Sequence, residues 1–199
     1  MQSEHGLESV LELEFETHFR RFLMPTIRGS DKGSKKRYAG LVTRGDKEEL
    51  VFKGLENVRT DWTLLAREFQ QELYRRVFYD EPYEDFVRET VRAVLDGERD
   101  SQLVYRKRLR RRLEDYQRNV PPHVQAARLQ AERGLEVPRR GAWVEHVITS
   151  AGAEPAGAAL APLDYQHYVD RQLAPVADGI LGLAGTSFRA LVDRQIGLF

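Results

Sequence analysis

Apolar and polar residues alternate from Val10 to Phe19, with Leu11, Leu13, Phe15 and Phe19 on one side and Glu12, Glu14, Glu16 and His18 on the other. That period of two predicts a half-buried strand over 10–19. The turn formers from Arg28 to Ser34, followed by Tyr38-Ala39-Gly40-Leu41-Val42, predict a hairpin. A second turn at Arg44-Gly45-Asp46 leads into Leu50-Val51-Phe52. Residues 10–55 therefore read as a small antiparallel meander, too thin to stand alone, that must lean on another part of the chain.

The period changes near Thr60. Asp61 is placed to cap a helix in which Leu65, Phe69, Leu73 and Val77 recur every four residues. Asp80-Glu81-Pro82 restarts a helix with proline in its first turn; Phe86, Val87, Val91, Val94 and Leu95 form its apolar face, and Gly97 stands where a left-handed cap falls. These two helices are expected to pair antiparallel. Leu103 and Tyr105 alternate briefly before a basic run, and Pro121-Pro122 opens a helix through Ala131. Gly141 to Ser150 reads as a strand, and Ala151 to Ala161, rich in glycine, alanine and proline, reads as a loop with little reason to be ordered. Asp164 starts a helix that Pro175 ends or kinks, and Thr186-Ser187 caps a last one through Arg194. The expected fold class is α+β: a small antiparallel β meander followed by a mainly α-helical remainder.

Composition narrows the classes. The 199 residues, 41% hydrophobic and 31% charged, suffice for a real core, which excludes general disorder. The chain has no cysteine, so disulfides, thiolate nucleophiles and cysteine-based metal sites are excluded. The first residues do not read as a secretory signal, and no stretch approaches the about 18 apolar residues that span a bilayer, so no membrane partner and a cytoplasmic setting are expected.

Lysine plus arginine total 31 and aspartate plus glutamate total 31, yet the charge is unevenly spread. Residues 61–98 hold 5 basic and 10 acidic side chains, a balance of −5, and residues 99–140 hold 12 basic and 5 acidic, a balance of +7. The run Arg106-Lys107-Arg108-Leu109-Arg110-Arg111-Arg112 is flanked by Tyr105 and Tyr116; a second cluster is Lys32, Lys35, Lys36 and Arg37, closed by Tyr38. Such a run serves either as a solvated face or as a holder of phosphates. No RNA-module stacking motif accompanies the two runs, which favours backbone contact with a duplex. Histidines 5, 18, 123, 146 and 167 have no metal-ligand spacing, and neither a phosphate-cradling glycine loop nor a nucleophile elbow occurs. Glu14, Glu16 and His18 share a predicted strand face, which is either solvated or able to hold a hard cation. The residues alone read as a binding module.

Lys35-Lys36-Arg37-Tyr38-Ala39-Gly40 resembles the lysine-lysine-arginine-tyrosine motif at the palm-to-thumb junction of family B DNA polymerases. Leu13-Glu14-Phe15-Glu16 is similar to the family's last palm strand. Gly54-Leu55-Glu56, Val58-Arg59-Thr60-Asp61-Trp62, Tyr105-Arg106-Lys107, Tyr116 with Pro122-His123-Val124, and Leu163-Asp164-Tyr165 to Tyr168 follow in the family's order. The resemblance covers essentially the whole chain. It implies the end of the palm over 1–59, the thumb over 60–194 and a clamp-binding tail over 195–199. The family's metal-binding aspartates, in a Tyr-Gly-Asp-Thr-Asp-Ser motif and an earlier one, do not occur in these residues, so magnesium is implied only for a complete polymerase and this chain alone is expected to be inactive. Glu16 matches a supporting carboxylate near the metal site. Lys35 and Lys36 are implied to reach the minor groove of a primer-template duplex and Tyr38 the primer phosphates. Arg37, Arg106, Lys107, Arg108, Arg110 and Arg111 complete the DNA-binding set. Gln195, Leu198 and Phe199, in the closing Gln195-Ile196-Gly197-Leu198-Phe199, resemble the short peptide by which bacterial polymerases attach to a sliding clamp. The alternative from the residues is a non-catalytic helical adapter that binds protein partners through its polarised surface.

Overall fold

The computed structural model describes residues 14–25, 34 and 36–193. Strands β1 (Phe19–Leu23), β2 (Tyr38–Arg44) and β3 (Lys47–Lys53) form an antiparallel sheet in chain order. The strand expected over 10–19 begins only at Phe19; residues 14–18 are exposed and in no regular element, and 10–13 lie outside the described residues. The register gives the reason. Phe19 pairs with Val42, and β2 turns into β3 just beyond Arg44, so among the described residues those before about 17 have no strand to pair with.

The meander leans on helices, as its thinness requires. Leu23, Ala39 and Leu41 share one buried core with Leu65, Phe69 and Leu73 of α1 (Leu64–Phe78) and with Val87, Val91 and Val94 of α2 (Glu84–Leu95). Each large apolar side chain so buried contributes about 1.5–3 kcal/mol. Arg21 of β1 adds a polar tie, donating to the Phe78 carbonyl at 2.7 Å and to both Asp80 oxygens at 3.0 and 2.6 Å.

Both helix starts fall later than the sequence suggests. The cap of α1 is Thr63, not Asp61: the Thr63 side chain accepts the Ala66 N–H at 3.3 Å, while Asp61 is engaged elsewhere. Pro82 precedes α2 instead of entering its first turn. Phe86 stacks on Phe69 at 5.6 Å, joining the two helices, but Leu95 remains 46% exposed. Gly97 takes φ 77; its N–H bonds the Val94 carbonyl, and the Glu98 N–H bonds that of Ala93, a Schellman close that needs the left-handed residue.

A second antiparallel sheet, β4 (Tyr105–Arg108), β5 (Trp143–Thr149) and β6 (Gly152–Pro155), makes the remainder less helical than expected. Helix α3 (Pro122–Glu132) packs on it over a small core of Leu109, Val124, Ala126, Ala127 and Val144. Strand β6 overturns the expectation of an unordered 151–161 loop. Its Glu154 is 3% exposed, accepts Arg133 Nη2 at 2.5 Å and the Leu160 and Ala161 N–H groups at 3.0 Å, and so pins the segment despite its turn-rich composition.

Asp164 caps α4 (Tyr165–Tyr168), accepting the His167 N–H at 3.0 Å. A wide π turn over Val169–Leu173 then leads to α5 (Ala174–Leu181), the Ala174 N–H reaching back to the Val169 carbonyl. Pro175, with no N–H, cannot return the chain to the ordinary ladder sooner. Ser187 caps α6 (Phe188–Asp193), its Oγ accepting the Ala190 N–H at 3.2 Å. No described helix is long and apolar enough to cross a membrane.

Candidate nucleic-acid interface

The first basic cluster sits where the chain enters β2. Lys36 is exposed in the preceding turn, and Lys35 and Lys32 lie outside the described residues. Gly54 backs this turn: it takes φ 65, and a Cβ there would run into the Lys36 carbonyl oxygen, so only glycine lets the chain after β3 pass so close. Arg37 points inward. Its guanidinium is bridged by Glu56, which also accepts Gln70 Nε2 at 2.8 Å, while Gln70 Oε1 accepts the Asn57 N–H at 2.7 Å. Burial beside this network pushes the Tyr74 phenol upward. The half-buried Tyr38 ring packs among Phe19 at 5.7 Å, Phe22 at 5.4 Å and the Lys53 ammonium at 5.7 Å.

The second cluster lies on the other sheet, and alternation along β4 divides it. Tyr105 stands opposite His146 and Lys107 opposite Val144; Arg106 stands opposite Glu145 and Arg108 opposite Trp143. On the second of these faces Arg106 lies over the Trp143 ring at 4.8 Å and 3.6 Å from Glu145, and Arg108 Nε donates to the Gly141 carbonyl at 2.7 Å. On the first, Lys107 is 3.6 Å from Asp61. Asp61 also accepts two bonds from Arg59, at 3.0 and 2.8 Å, and the Arg59 guanidinium holds its carboxyl below the usual range. Past the strand, Arg110 and Arg111 are exposed, and among the described residues neither guanidinium has an ion-pair partner. The Arg111 N–H donates to the Tyr116 hydroxyl at 3.2 Å, so the flanking tyrosine braces the backbone of the run.

A cluster that sequence spacing could not find surrounds Tyr105. His146 stacks on its ring at 5.3 Å, Tyr168 at 5.7 Å, and His167 Nε2 is 3.0 Å from its hydroxyl; His123 lies 6.4 Å from His146. Burial, then the neighbouring His123 and Lys107, hold His146 down at about 4, so it is neutral at pH 7; burial lowers His123 and His167 as well. These rings come from α3, β5 and α4, separated by 23 and 21 residues, which leaves no local signal.

Among the described residues no group of three histidine, aspartate or glutamate side chains is arranged to hold a metal ion. Glu14 and Glu16 are exposed in the irregular segment before β1. Gln195, Leu198 and Phe199 lie outside the described residues.

The sequence profile of DNA polymerase family B matches residues 2–181. DNA polymerase II of Escherichia coli is 59% identical over 199 residues, covering 97% of this chain and 25% of that protein. The DNA polymerase of Thermococcus kodakarensis is 27% identical over 209 residues, covering 96% of this chain and 12% of that protein. The solved family B DNA polymerase of the archaeon Pyrobaculum calidifontis superposes with a TM-score of 0.65 at 25% identity, over 87% of this chain and 23% of that one. The chain thus spans about a quarter or less of these relatives, and across that span it belongs to DNA polymerase family B.

Proposed function

We propose that this chain is the palm end, over 1–59, and the thumb, over 60–194, of a DNA-directed DNA polymerase serving replication or repair synthesis, and that it holds primer-template duplex. The observation that carries this reading is the exposed pair Arg110 and Arg111, cations without ion-pair partners among the described residues, on a backbone braced by Tyr116, in a chain of this family. Phosphates are the natural counter-charge for such a pair. Lys36 offers a second contact from the other sheet, with Lys35 beside it in sequence. Arg37 supports the contact from behind through Glu56 instead of reaching outward. Arg106 and Arg108, turned toward Trp143 and Gly141, flank the run more than they lead it.

Two-metal phosphoryl transfer needs carboxylates that the described residues do not assemble. Magnesium therefore belongs, on this reading, to other segments of a complete polymerase, and the chain alone extends no primer. The tail at 195–199 attaches the enzyme to a sliding clamp.

Titrating the chain with primer-template DNA across a salt series tests the duplex-holding role. The affinity falls steeply as salt rises. A response flat between low and moderate salt rejects the reading and leaves the protein-binding adapter, whose self-association sedimentation without DNA would reveal.

A further inference from the structure

Strand β5 runs past the end of β6, and its backbone bonds define what is left open. Along a strand the N–H and C=O groups of successive residues point alternately to its two neighbours. In β5 the even-numbered residues face the β4 side: the Leu109 N–H donates to the Ala142 carbonyl at 2.8 Å, and beyond the end of β4 the Asp164 N–H donates to the Ile148 carbonyl at 3.0 Å. The odd-numbered residues face the β6 side, where the Ala156 N–H donates to the Glu145 carbonyl at 3.1 Å. The register that sets His146 opposite Pro155 would set Ala158 opposite Trp143 if β6 ran on. It does not run on. Gly157 takes φ 76 and the Ala158 N–H turns back to the Pro155 carbonyl at 3.2 Å, so the chain has left the sheet by then. The Trp143 N–H and C=O, a donor and an acceptor side by side, therefore have no partner on the β6 side among the described residues.

A groove of about 640 Å³ lies along this open edge, lined by Trp143, Glu145 and Ala156 and by the segment 136–139. Its surroundings are apolar and basic. Trp143 is 44% exposed, and Leu135 and Val137 are 41% and 43% exposed. Arg133 is held by Glu154, but Arg139 and Arg140 are exposed and have no ion-pair partner among the described residues. Of the two carboxylates lining the groove, Glu145 lies 3.6 Å from Arg106, which leaves Glu136 alone against these two cations. Folded proteins ordinarily cover such an edge or blunt it with charge, because it is a template for another strand.

We propose that this edge is a docking site for a short acidic segment of a partner protein, which pairs in extended form antiparallel to β5 in the place that β6 vacates. One residue of that segment donates its N–H to the Trp143 carbonyl and accepts the Trp143 N–H. Its side chain falls on the same face as the Trp143 ring, where an aromatic or β-branched residue packs best. The segment is acidic because Arg139 and Arg140 lack counter-charges in a stretch, 99–140, whose balance is +7. A nucleic-acid backbone fits the edge less well, since a phosphodiester has no donor for the Trp143 carbonyl.

The test uses the full chain and short peptides in which glutamate alternates with valine or with tyrosine. At high occupancy they are expected to slow hydrogen exchange at the Trp143 amide about tenfold and to leave that of Ile148 unchanged. N-methylation scanned along the peptide costs about tenfold in affinity at one nitrogen, the scale of one backbone hydrogen bond, and little at its neighbours. Arg139→Gln weakens the acidic peptides several-fold without lowering the melting temperature, and lysine in place of glutamate in the peptide removes binding. Trp143→Ala weakens them too; should it disturb β5 through Arg106, Arg139→Gln keeps the test open. A Trp143 amide unmoved by every peptide, or lysine peptides that bind as well as the acidic ones, overturns the site. Exchange slowed by primer-template DNA and by no peptide overturns it as well and gives the edge to DNA.

Discussion

Thr63 Oγ1 donates to Gln172 Oε1 across 2.9 Å, and the same oxygen accepts the Ala66 N–H at 3.3 Å. One buried hydroxyl therefore both caps α1 and fastens it to the π turn between α4 and α5. Thr63→Val keeps the shape and removes both bonds, leaving the Gln172 oxygen poorly satisfied. A loss of about 2 kcal/mol is expected, read as a lower urea midpoint, with Thr63→Ser recovering most of it. A Thr63→Val midpoint equal to the wild type's would show that the cap is dispensable.

The His146 ring titrates at about 4 in the fold against 6.5 when free, because burial disfavours the charged form. The unfolded chain binds the proton first, so stability falls as pH drops through 6.5 and keeps falling to about 4. A urea series at several pH values should show this decline, and His146→Phe should reduce its slope within that window, with His123 and His167 keeping a share of it. A decline of equal slope in the variant would assign the effect to other groups.

Glu154 gives the complementary window. Arg133, with the Leu160 and Ala161 N–H groups and the Thr149 hydroxyl, holds its carboxyl at about 2 against 4.5 when free. Its contribution is present above 4.5 and is lost as pH falls from there toward 2. Arg133→Ala leaves a buried carboxylate short of its cation and should cost about 3 kcal/mol at neutral pH. Hydrogen exchange should show the loss first in β6 and the 158–161 segment that Glu154 holds. Protection unchanged in that segment would contradict the anchoring role.

What the sequence made legible follows the range of the forces involved. The β2–β3 turn at Gly45, the Leu65, Phe69 and Leu73 stripe and the Gly97 close are set by residues within one or two turns of each other, and each stands where the pattern put it. Strand β6 was hidden because the composition of 151–161 is that of a loop, and its order depends on Arg133, 21 residues before Glu154. Arg37 reads as one more cation in a basic run, and only the fold brings Glu56 against it. The histidines around Tyr105 belong to three elements, so spacing rules built for one helix or one loop could not connect them.

If residues 195–199 tether the enzyme to a clamp, deleting Leu198 and Phe199 should abolish clamp binding by the full chain and leave its affinity for primer-template DNA unchanged. The two apolar residues would fill a pocket while Gln195 bonds at the rim, a weak attachment whose value lies in making the second one intramolecular. Equal clamp binding by the shortened chain would remove the tether from the proposed function without touching the duplex-holding part.

Arg110 and Arg111 offer the sharpest separation of binding from folding. Both are exposed and neither has an ion-pair partner among the described residues, so replacing both with glutamine should leave the melting temperature nearly unchanged. Each phosphate that is no longer neutralised should reduce the slope of log affinity against log salt by about 0.9, hence by up to about 2 for the pair. The weakening should be equal for all duplex sequences, since bonds to the DNA backbone carry no sequence information and a polymerase must hold whatever it has just copied. Adding Arg108→Gln is a different experiment, because its Nε bonds the Gly141 carbonyl and its removal loosens the entry to β5 as well. An unchanged salt slope in the double variant would move the duplex grip away from this run, and weakening confined to one sequence would replace a general hold on duplex with base recognition.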